Sequence, residues 1–233
     1  MSQKNQKRIL IVVTSHDRLG STGDQTGFWL EELAAPYYVF TDAGMAVDIA
    51  SPRGGAAPYD PKSLDRTDSR PKAVERFLAD AEAKGKVEAS LKLDAIAPGA
   101  YDAVFVAGGH GTMWDLPDSA ALARLLGETF DRGAAVAAVC HGPAGLVSAR
   151  RKDGKPIVDG RKLTGFTNAE EEAVKLTGVV PFLLESRLRE LGGIFTGGPL
   201  FQAHAVRDGN LVTGQNPASS ERAAELVLEA LRD

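Results

Sequence analysis

The residues in this chain that are best suited to chemistry lie around its single cysteine, Cys140. Residues 133–139 form a short apolar run behind a glycine, which is typical of a strand buried on both faces. Pro143 can open a helix, because its missing N–H would have no partner in a first turn. Ala138 and Gly142 leave space on either side. The pattern predicts a nucleophile elbow at Cys140, with sulfur in place of a hydroxyl.

The predicted elbow favours a reactive thiol. The N-terminus of a helix stabilises an anion and can lower a cysteine pKa from ~8.5 to between ~3.5 and ~7.5. The alternative is that Cys140 is a small core residue, since free cysteine is among the most buried residue types. We expect a nucleophile with a lowered pKa.

A glycine-rich loop, Gly108-Gly109-His110-Gly111, follows another predicted strand. Glycines after a strand leave backbone N–H groups open, so the N–H groups of Gly109 and His141 could form an oxyanion hole beside the sulfur. Gly108, Gly109 and His110 are therefore candidate substrate-binding residues. In the alternative interpretation the glycines only permit a tight turn and His110 is an exposed turn residue.

The remaining composition restricts the function classes. One cysteine excludes an intrachain disulfide and a Cys-rich zinc site, and no pair of the four histidines has the spacing of a helical zinc motif. We expect neither a metal nor a cofactor. A net charge of −4 predicts no nucleic-acid or anionic membrane partner. The apolar run from Ile9 to Val13 is too short for a signal peptide or membrane span, so we expect a cytoplasmic protein.

Strands and helices are predicted to alternate through a single domain, residues 1–233. This order favours a mainly parallel sheet with helices on both faces, whose ligands bind beyond the carboxyl ends of the strands. Loops 14–25, 108–111 and 140–142 should meet there. The predicted strands cover residues 8–13, 45–50, 102–107, 161–164, 204–207 and 211–213. The predicted helices cover residues 26–42 with an interruption near Pro36, 72–84, 119–131, a segment opened by Pro143, one capped by Thr167 or Asn168, 181–191, and one that starts at 216–219.

About fifty residues, roughly 51–100, separate the second and third strands, far more than the two to six usual in α/β folds. We predict a lid-like insertion, with a flexible linker as the alternative. Helical spacing of Val74, Phe77, Leu78 and Ala81 favours an ordered helix with a core-facing stripe.

Five motifs are spread along the chain. They are Ala138-Val139-Cys140-His141-Gly142-Pro143, Gly108-Gly109-His110-Gly111-Thr112, Thr26-Gly27 through Glu32, Thr164-Gly165-Phe166-Thr167 and Thr213-Gly214-Gln215-Asn216-Pro217. Together they resemble the ThiJ/PfpI family of the class I glutamine-amidotransferase-like superfamily, and within it the branch of glutathione-independent glyoxalases (glyoxalase III) and heat-shock holdase chaperones. The resemblance spans nearly the whole chain. It implies a flavodoxin-like three-layer α/β sandwich, a homodimer and a cysteine nucleophile.

The resemblance also implies two carboxylates near Cys140. One maps onto Glu32, and the other, which orients His141, maps onto Glu171. Neighbouring Glu31 leaves the first assignment open from the residues alone. Because successive helical residues point about 100° apart, at most one glutamate of residues 170–172 can face His141. His141 itself could act through its imidazole or only through its backbone N–H.

The resulting hypothesis is a cofactor-independent lyase, similar to a D-lactate dehydratase, that converts a 2-oxoaldehyde such as methylglyoxal to a 2-hydroxy acid through a hemithioacetal on Cys140. A holdase chaperone for stress-damaged proteins is the alternative from another class. A Cys-dependent deglycase or peptidase would share Cys140. An amide-hydrolysing enzyme is disfavoured, since no histidine is followed by a glutamate two residues later, as glutaminase domains of this superfamily require.

Overall fold

The computed structural model describes residues 6–64 and 70–233 of the 233-residue chain. Short apolar runs rich in valine, isoleucine and alanine form the strands, as expected for strands covered on both faces. The strands are β1 (Arg8–Val12), β2 (Ala46–Ser51), β3 (Leu91–Lys92), β4 (Ala103–Val106), β5 (Ala135–Val139), β6 (Lys162–Leu163), β7 (Ile194–Phe195), β8 (Ala205–Asp208) and β9 (Leu211–Gly214).

Helices connect these strands and cover the sheet. The α-helices are α1 (Leu30–Asp42), α2 (Lys72–Ala79), α3 (Ala81–Glu88), α4 (Thr112–Asp115), α5 (Ala120–Asp131), α6 (Asn168–Ala173), α7 (Leu184–Glu190) and α8 (Ser220–Ala230). Short 3₁₀-helices lie at Pro61–Ser63, Leu93–Ala95, Gly142–Leu146 and Pro217–Ser219.

The main sheet has seven strands in the order β3-β2-β1-β4-β5-β9-β8. All of its neighbouring pairs are parallel except β8 with β9, which are antiparallel. Strands β6 and β7 form a separate parallel pair. The predicted flavodoxin-like α/β sandwich is confirmed. Because β1, β4 and β5 are neighbours at its centre, the segments that leave their carboxyl ends meet at one edge.

Helix α1 differs from the prediction at both its start and its middle. Residues 26–29 are extended rather than helical, because the N–H of Phe28 donates to Pro58 O at 3.0 Å and the N–H of Trp29 donates to Gly108 O at 3.1 Å. Pro36 does not interrupt the helix. Buried Leu33 and Phe40 on either side of it pack into the core, and this packing outweighs the intrinsic cost of an internal proline.

In the insertion after β2, the helix predicted over residues 72–84 is divided into two α-helices, α2 and α3. Asp80 separates them, since its carboxylate accepts the N–H of Ala83 at 3.0 Å and caps α3. Val74 and Phe77 are buried as predicted, whereas Ala81 is exposed because the chain turns before it. The predicted segment also includes residues 65–69, which lie outside the described residues.

Two further helix predictions need correction. The segment opened by Pro143 is a five-residue 3₁₀-helix that is buried throughout, too short and tight to build the helix dipole expected behind Cys140. Helix α7 begins at Leu184 instead of residue 181. The capping prediction is confirmed at Thr167, whose hydroxyl accepts the N–H of Glu170 while the Glu170 carboxylate accepts the N–H of Thr167.

Candidate active site

Cys140 follows the last residue of β5 and adopts a left-handed conformation with φ of 58°. Non-glycine residues rarely occupy this region, and such strain concentrates at functional sites. The turn fits only because Gly142 lacks a side chain, since a Cβ there would lie 2.4 Å from Val106 O. The predicted elbow is therefore present, with Cys140 only 3% exposed.

Backbone amides surround the sulfur. The N–H groups of Gly109 and His141 both donate to the Cys140 side chain. Both N–H groups therefore lie beside the sulfur and favour its ionised form. Their use as an oxyanion hole for the substrate stays a prediction.

The expected lowering of the thiol pKa is wrong for this resting state. Burial raises the pKa of Cys140 well above its ordinary value, and the neighbouring Glu32 carboxyl raises it further. The two backbone N–H groups act in the opposite direction but do not outweigh burial. Sequence motifs locate the thiol, whereas its surroundings keep it protonated.

Glu32 lies on the first turn of α1 and is fully buried. Its Oε2 accepts the N–H of Gly108 at 2.8 Å. Burial raises the pKa of its carboxyl group well above the usual range, against the smaller effects of Cys140 and Gly108. Oε1 is buried and has no hydrogen-bond partner among the described residues, so a proton on this oxygen can face the thiol. Its neighbour Glu31 also lines the cavity, and the charge of Glu31 raises the pKa of Glu32 further.

His141 connects the thiol to a second carboxylate. Its Nδ1 lies 3.4 Å from the Cys140 sulfur, and its Nε2 lies 2.8 Å from Oε2 of Glu171. Burial lowers the pKa of His141 to about 4, helped by the nearby His110 and opposed by Glu171. A neutral imidazole that donates Nε2–H to Glu171 leaves Nδ1 free to accept the thiol proton.

Glu171 binds two imidazoles. Its Oε1 lies 3.0 Å from Nε2 of His110, while Oε2 holds His141. Burial alone would raise the pKa of Glu171, but hydrogen bonds from both histidines lower it to about 2, so it is ionised at neutral pH. His110 was predicted only as a possible pocket residue. Its link to Glu171 has no local sequence signal, because the two residues are 61 positions apart.

The three glutamates of α6 point in different directions, as the helical geometry requires. Glu171 faces His141, Glu172 is exposed, and Glu170 is buried on another side of the helix.

Of the three loops predicted to meet at the site, loops 108–111 and 140–142 reach the cavity, but loop 14–25 does not. Thr14 and Ser15 instead bind the Asp115 carboxylate at 2.7 Å each and support α4.

A cavity of about 260 Å³ opens beside the sulfur. Its walls are mainly apolar, with the catalytic candidates on one side. Sequence reasoning missed most of this wall, although Phe166 and Pro217 lie within motifs that carry the family resemblance. The lining residues are Trp29, Glu31, Glu32, Pro71, Gly109, His110, Cys140, His141, Phe166, Val174, Phe201, Pro217 and Ala218.

One set of side chains in the described part of the chain could also hold a metal ion. Ligand atoms of His110, His141 and Glu171 lie within 4.8 Å of one another. Each histidine is already paired with one oxygen of the Glu171 carboxylate, so hydrogen bonds satisfy these three side chains without an ion.

Among the described residues, no helix is long and apolar enough to cross a membrane.

Comparisons with known proteins identify relatives of this chain in sequence and in fold. Residues 25–230 match the DJ-1/PfpI family. The glutathione-independent glyoxalase HSP31 of Saccharomyces cerevisiae is 31% identical over 97% of this chain and 99% of its own length. The crystal structure of glyoxalase III from Candida albicans superimposes with a TM-score of 0.88 at 28% identity, covering 96% of this chain and 97% of that one. The rapid encystment protein of 24 kDa from Francisella tularensis gives a TM-score of 0.92 at 37% identity, covering 97% and 99%.

Proposed function

This chain belongs to the DJ-1/PfpI family, and we propose that it is a glutathione-independent glyoxalase that converts a 2-oxoaldehyde such as methylglyoxal to a 2-hydroxy acid. The observation that carries the proposal is the continuous path from the Glu32 carboxyl through Cys140 and His141 to Glu171, at the wall of a cavity. Relatives of nearly full coverage bear the name of this activity.

The first step is addition of the thiol to the aldehyde. As the sulfur attacks the aldehyde carbon, His141 Nδ1 takes the thiol proton, and the imidazolium formed is stabilised by ionised Glu171. Glu32 gives its proton to the aldehyde oxygen, which completes a hemithioacetal. Burial of Glu32 serves this step, because it keeps the carboxyl group protonated until the substrate arrives.

Isomerisation and hydrolysis follow. The ionised Glu32 takes the hydrogen of the former aldehyde carbon as a proton, and the His141 imidazolium protonates the neighbouring carbonyl oxygen, which gives an enediol. Glu32 then returns its proton to the second carbon, while the hydroxyl on the first carbon gives its proton back to His141. The first carbon is thereby oxidised to a thioester and the second is reduced to a hydroxyl-bearing carbon, so no external oxidant is needed. Water cleaves the thioester to a 2-hydroxy acid, the proton on His141 returns to the sulfur, and the proton of the acid product returns to Glu32.

The test is loss of methylglyoxal without glutathione, with lactate as the measured product. Cys140→Ser should reduce turnover by at least ~10³-fold, because it removes the nucleophile, while Glu172→Gln on the exposed side of α6 should leave it unchanged. Absence of methylglyoxal turnover in the wild-type protein would contradict the proposed enzyme activity. If Cys140→Ser abolishes turnover but still suppresses aggregation of a denatured client, a holdase role is separate from the enzyme.

We also propose that the active form is a cytoplasmic homodimer and that residues 51–100 act as a lid. Pro71 of this segment lines the cavity, which supports the lid. Large apolar side chains are exposed at Tyr59, Leu91 and Ile194, and burial of such side chains against a second copy would favour self-association. Sedimentation of the purified protein as a monomer would contradict the dimer.

A further inference from the structure

Glu170 is a buried carboxylate that the proposed reaction does not use. It is 0% exposed, yet five donors meet it. Oε2 accepts the N–H and hydroxyl of Thr167 at 3.0 and 3.1 Å. Oε1 accepts the N–H of Phe201 at 2.8 Å, Nε2 of Gln215 at 3.0 Å and Nδ2 of Asn216 at 2.9 Å. A buried charge with this many partners holds its surroundings in one arrangement.

The donors come from three separate segments, and each segment carries part of the cavity wall. Thr167 follows the lining residue Phe166, Phe201 lines the cavity itself, and Gln215 and Asn216 precede the lining residues Pro217 and Ala218. Two of the segments are also bonded directly to each other, since the N–H of Gly198 donates to Gln215 Oε1 at 2.7 Å and Asn216 Nδ2 donates to Gln202 O at 2.8 Å. The Glu170 carboxylate is the group that binds all three segments at once.

Phe201 is held by this contact in an uncommon backbone conformation. Its φ is 57°, in the left-handed region that a bulky residue rarely occupies, and its N–H donates to the Glu170 carboxylate. The residue is 47% exposed. Its ring lies 6.4 Å from the Phe166 ring, which in turn lies 4.4 Å from the His141 ring. An aromatic surface thus runs from the catalytic imidazole to the mouth of the cavity.

We infer that Glu170 is a positioning residue that fixes Phe201 over the cavity, and that Phe201 selects 2-oxoaldehydes with an apolar side chain. The carbonyl end of such a substrate meets Cys140, and its side chain packs on Phe166 and Phe201. Desolvation of that side chain favours aryl and larger alkyl groups over methyl. This inference rests on the proposed function and specifies its substrate class.

The experiment compares kcat/KM for phenylglyoxal and methylglyoxal. Phe201→Gly removes the ring, while glycine tolerates the positive φ, so the fold is retained. The phenylglyoxal-to-methylglyoxal ratio should fall about tenfold or more, the usual size of one apolar contact in specificity.

Glu170→Gln places an amide N–H₂ group against the existing donors and should lower the same phenylglyoxal-to-methylglyoxal ratio. Glu172→Gln is the matched control. This residue is exposed and lies two positions further along α6, so the ratio should stay unchanged. If Glu170→Gln does not fold, Gln215→Met removes one donor to the carboxylate and takes its place.

A second readout separates this inference from the proposed function. Alkylation of Cys140 by N-phenylmaleimide and by iodoacetamide needs no turnover, and Phe201→Gly and Glu170→Gln should slow the aromatic reagent relative to the small one. If neither 2-oxoaldehyde is consumed by the wild-type protein but this selectivity holds, the proposed function fails and the role of Phe201 stands. The inference would be overturned if wild type and Phe201→Gly had equal phenylglyoxal-to-methylglyoxal ratios of kcat/KM and also equal N-phenylmaleimide-to-iodoacetamide ratios of the alkylation rate.

Discussion

The reactivity of Cys140 depends on two opposing sets of neighbours. Burial and Glu32 raise the thiol pKa, while the N–H groups of Gly109 and His141 lower it. The balance keeps the proton on sulfur until a substrate enters. In the proposed reaction, His141 Nδ1, 3.4 Å from the sulfur, is the base that removes this proton. In that reaction the thiolate forms during attack, which agrees with the raised pKa of the thiol.

Replacement of Glu32 tests this account at the level of one residue. In Glu32→Gln the carboxyl no longer opposes the thiolate, so the thiol pKa should fall and the pH midpoint of Cys140 alkylation should move to lower pH. Turnover of methylglyoxal should nevertheless fall by about 10²–10⁴-fold, since the acid and base of the reaction is gone. Glu172→Gln should change neither value. An alkylation midpoint that stays in place or rises would contradict the coupling of Glu32 to the thiol.

Three elements meet at the carboxyl edge of the sheet. The first turn of α1, the loop after β4 and the elbow after β5 approach so closely that Gly108 has no space for a side chain. A Cβ on Gly108 would lie 2.4 Å from Val139 O, 2.5 Å from Glu32 Oε2 and 2.7 Å from His141 N. Two of these neighbours are backbone atoms, which cannot rotate away.

Gly108→Ala should therefore force these elements apart. We expect a loss of roughly 1–3 kcal/mol in the free energy of unfolding, the usual cost of overpacking, together with strongly reduced turnover. Gly85→Ala is the matched control, because it lies within α3 and its Cβ would meet nothing within 4 Å. That change should stabilise the protein by about 0.5–1 kcal/mol. Urea unfolding of both variants measures these changes in the free energy of unfolding. An unchanged free energy of unfolding in Gly108→Ala would show that the three elements are loosely packed.

For the molecule as a whole, the buried His141 links folding to pH. Its pKa is about 4 in the folded protein and 6.5 as an ordinary value, so between these pH values the unfolded chain binds a proton that the folded chain does not. The His141 contribution to the free energy of unfolding therefore falls as the pH falls from 6.5 toward 4. The lowered pKa of Glu171, about 2 against 4.5, costs stability only below pH 4.5. The raised pKa values of Glu32 and Asp115 act in the opposite direction, so the His141 contribution is the difference between the wild type and a His141 variant.

Urea unfolding at pH 7 and pH 5 measures this linkage. His141 should account for a loss of roughly 2 kcal/mol between these pH values, from 1.36 kcal/mol per pKa unit. His141→Gln should reduce the pH dependence by about this amount, because glutamine does not titrate. Equal slopes in wild type and His141→Gln would show that His141 is not held neutral by the fold.

The amino-acid sequence by itself determined the alternation of strands and helices, the elbow at Cys140, the glycine loop and a helix cap at Thr167 or Asn168. These features depend on neighbouring residues: apolar runs, glycines and capping side chains act over a few positions. The family motifs added Glu32 and Glu171 as candidates. The helical continuity of α1 through Pro36 was not predictable in this way, because packing on both sides of the proline decides it.

Only the tertiary structure decided the chemical state of these groups. Glu32 and Gly108 are 76 positions apart, and His110 and Glu171 are 61 apart, so no local pattern indicates that they meet. The direction of the Cys140 pKa also reverses, since burial and a neighbouring carboxyl outweigh backbone donors. Desolvation and charge interactions depend on everything within a few ångströms of an atom, and the fold alone brings those atoms together.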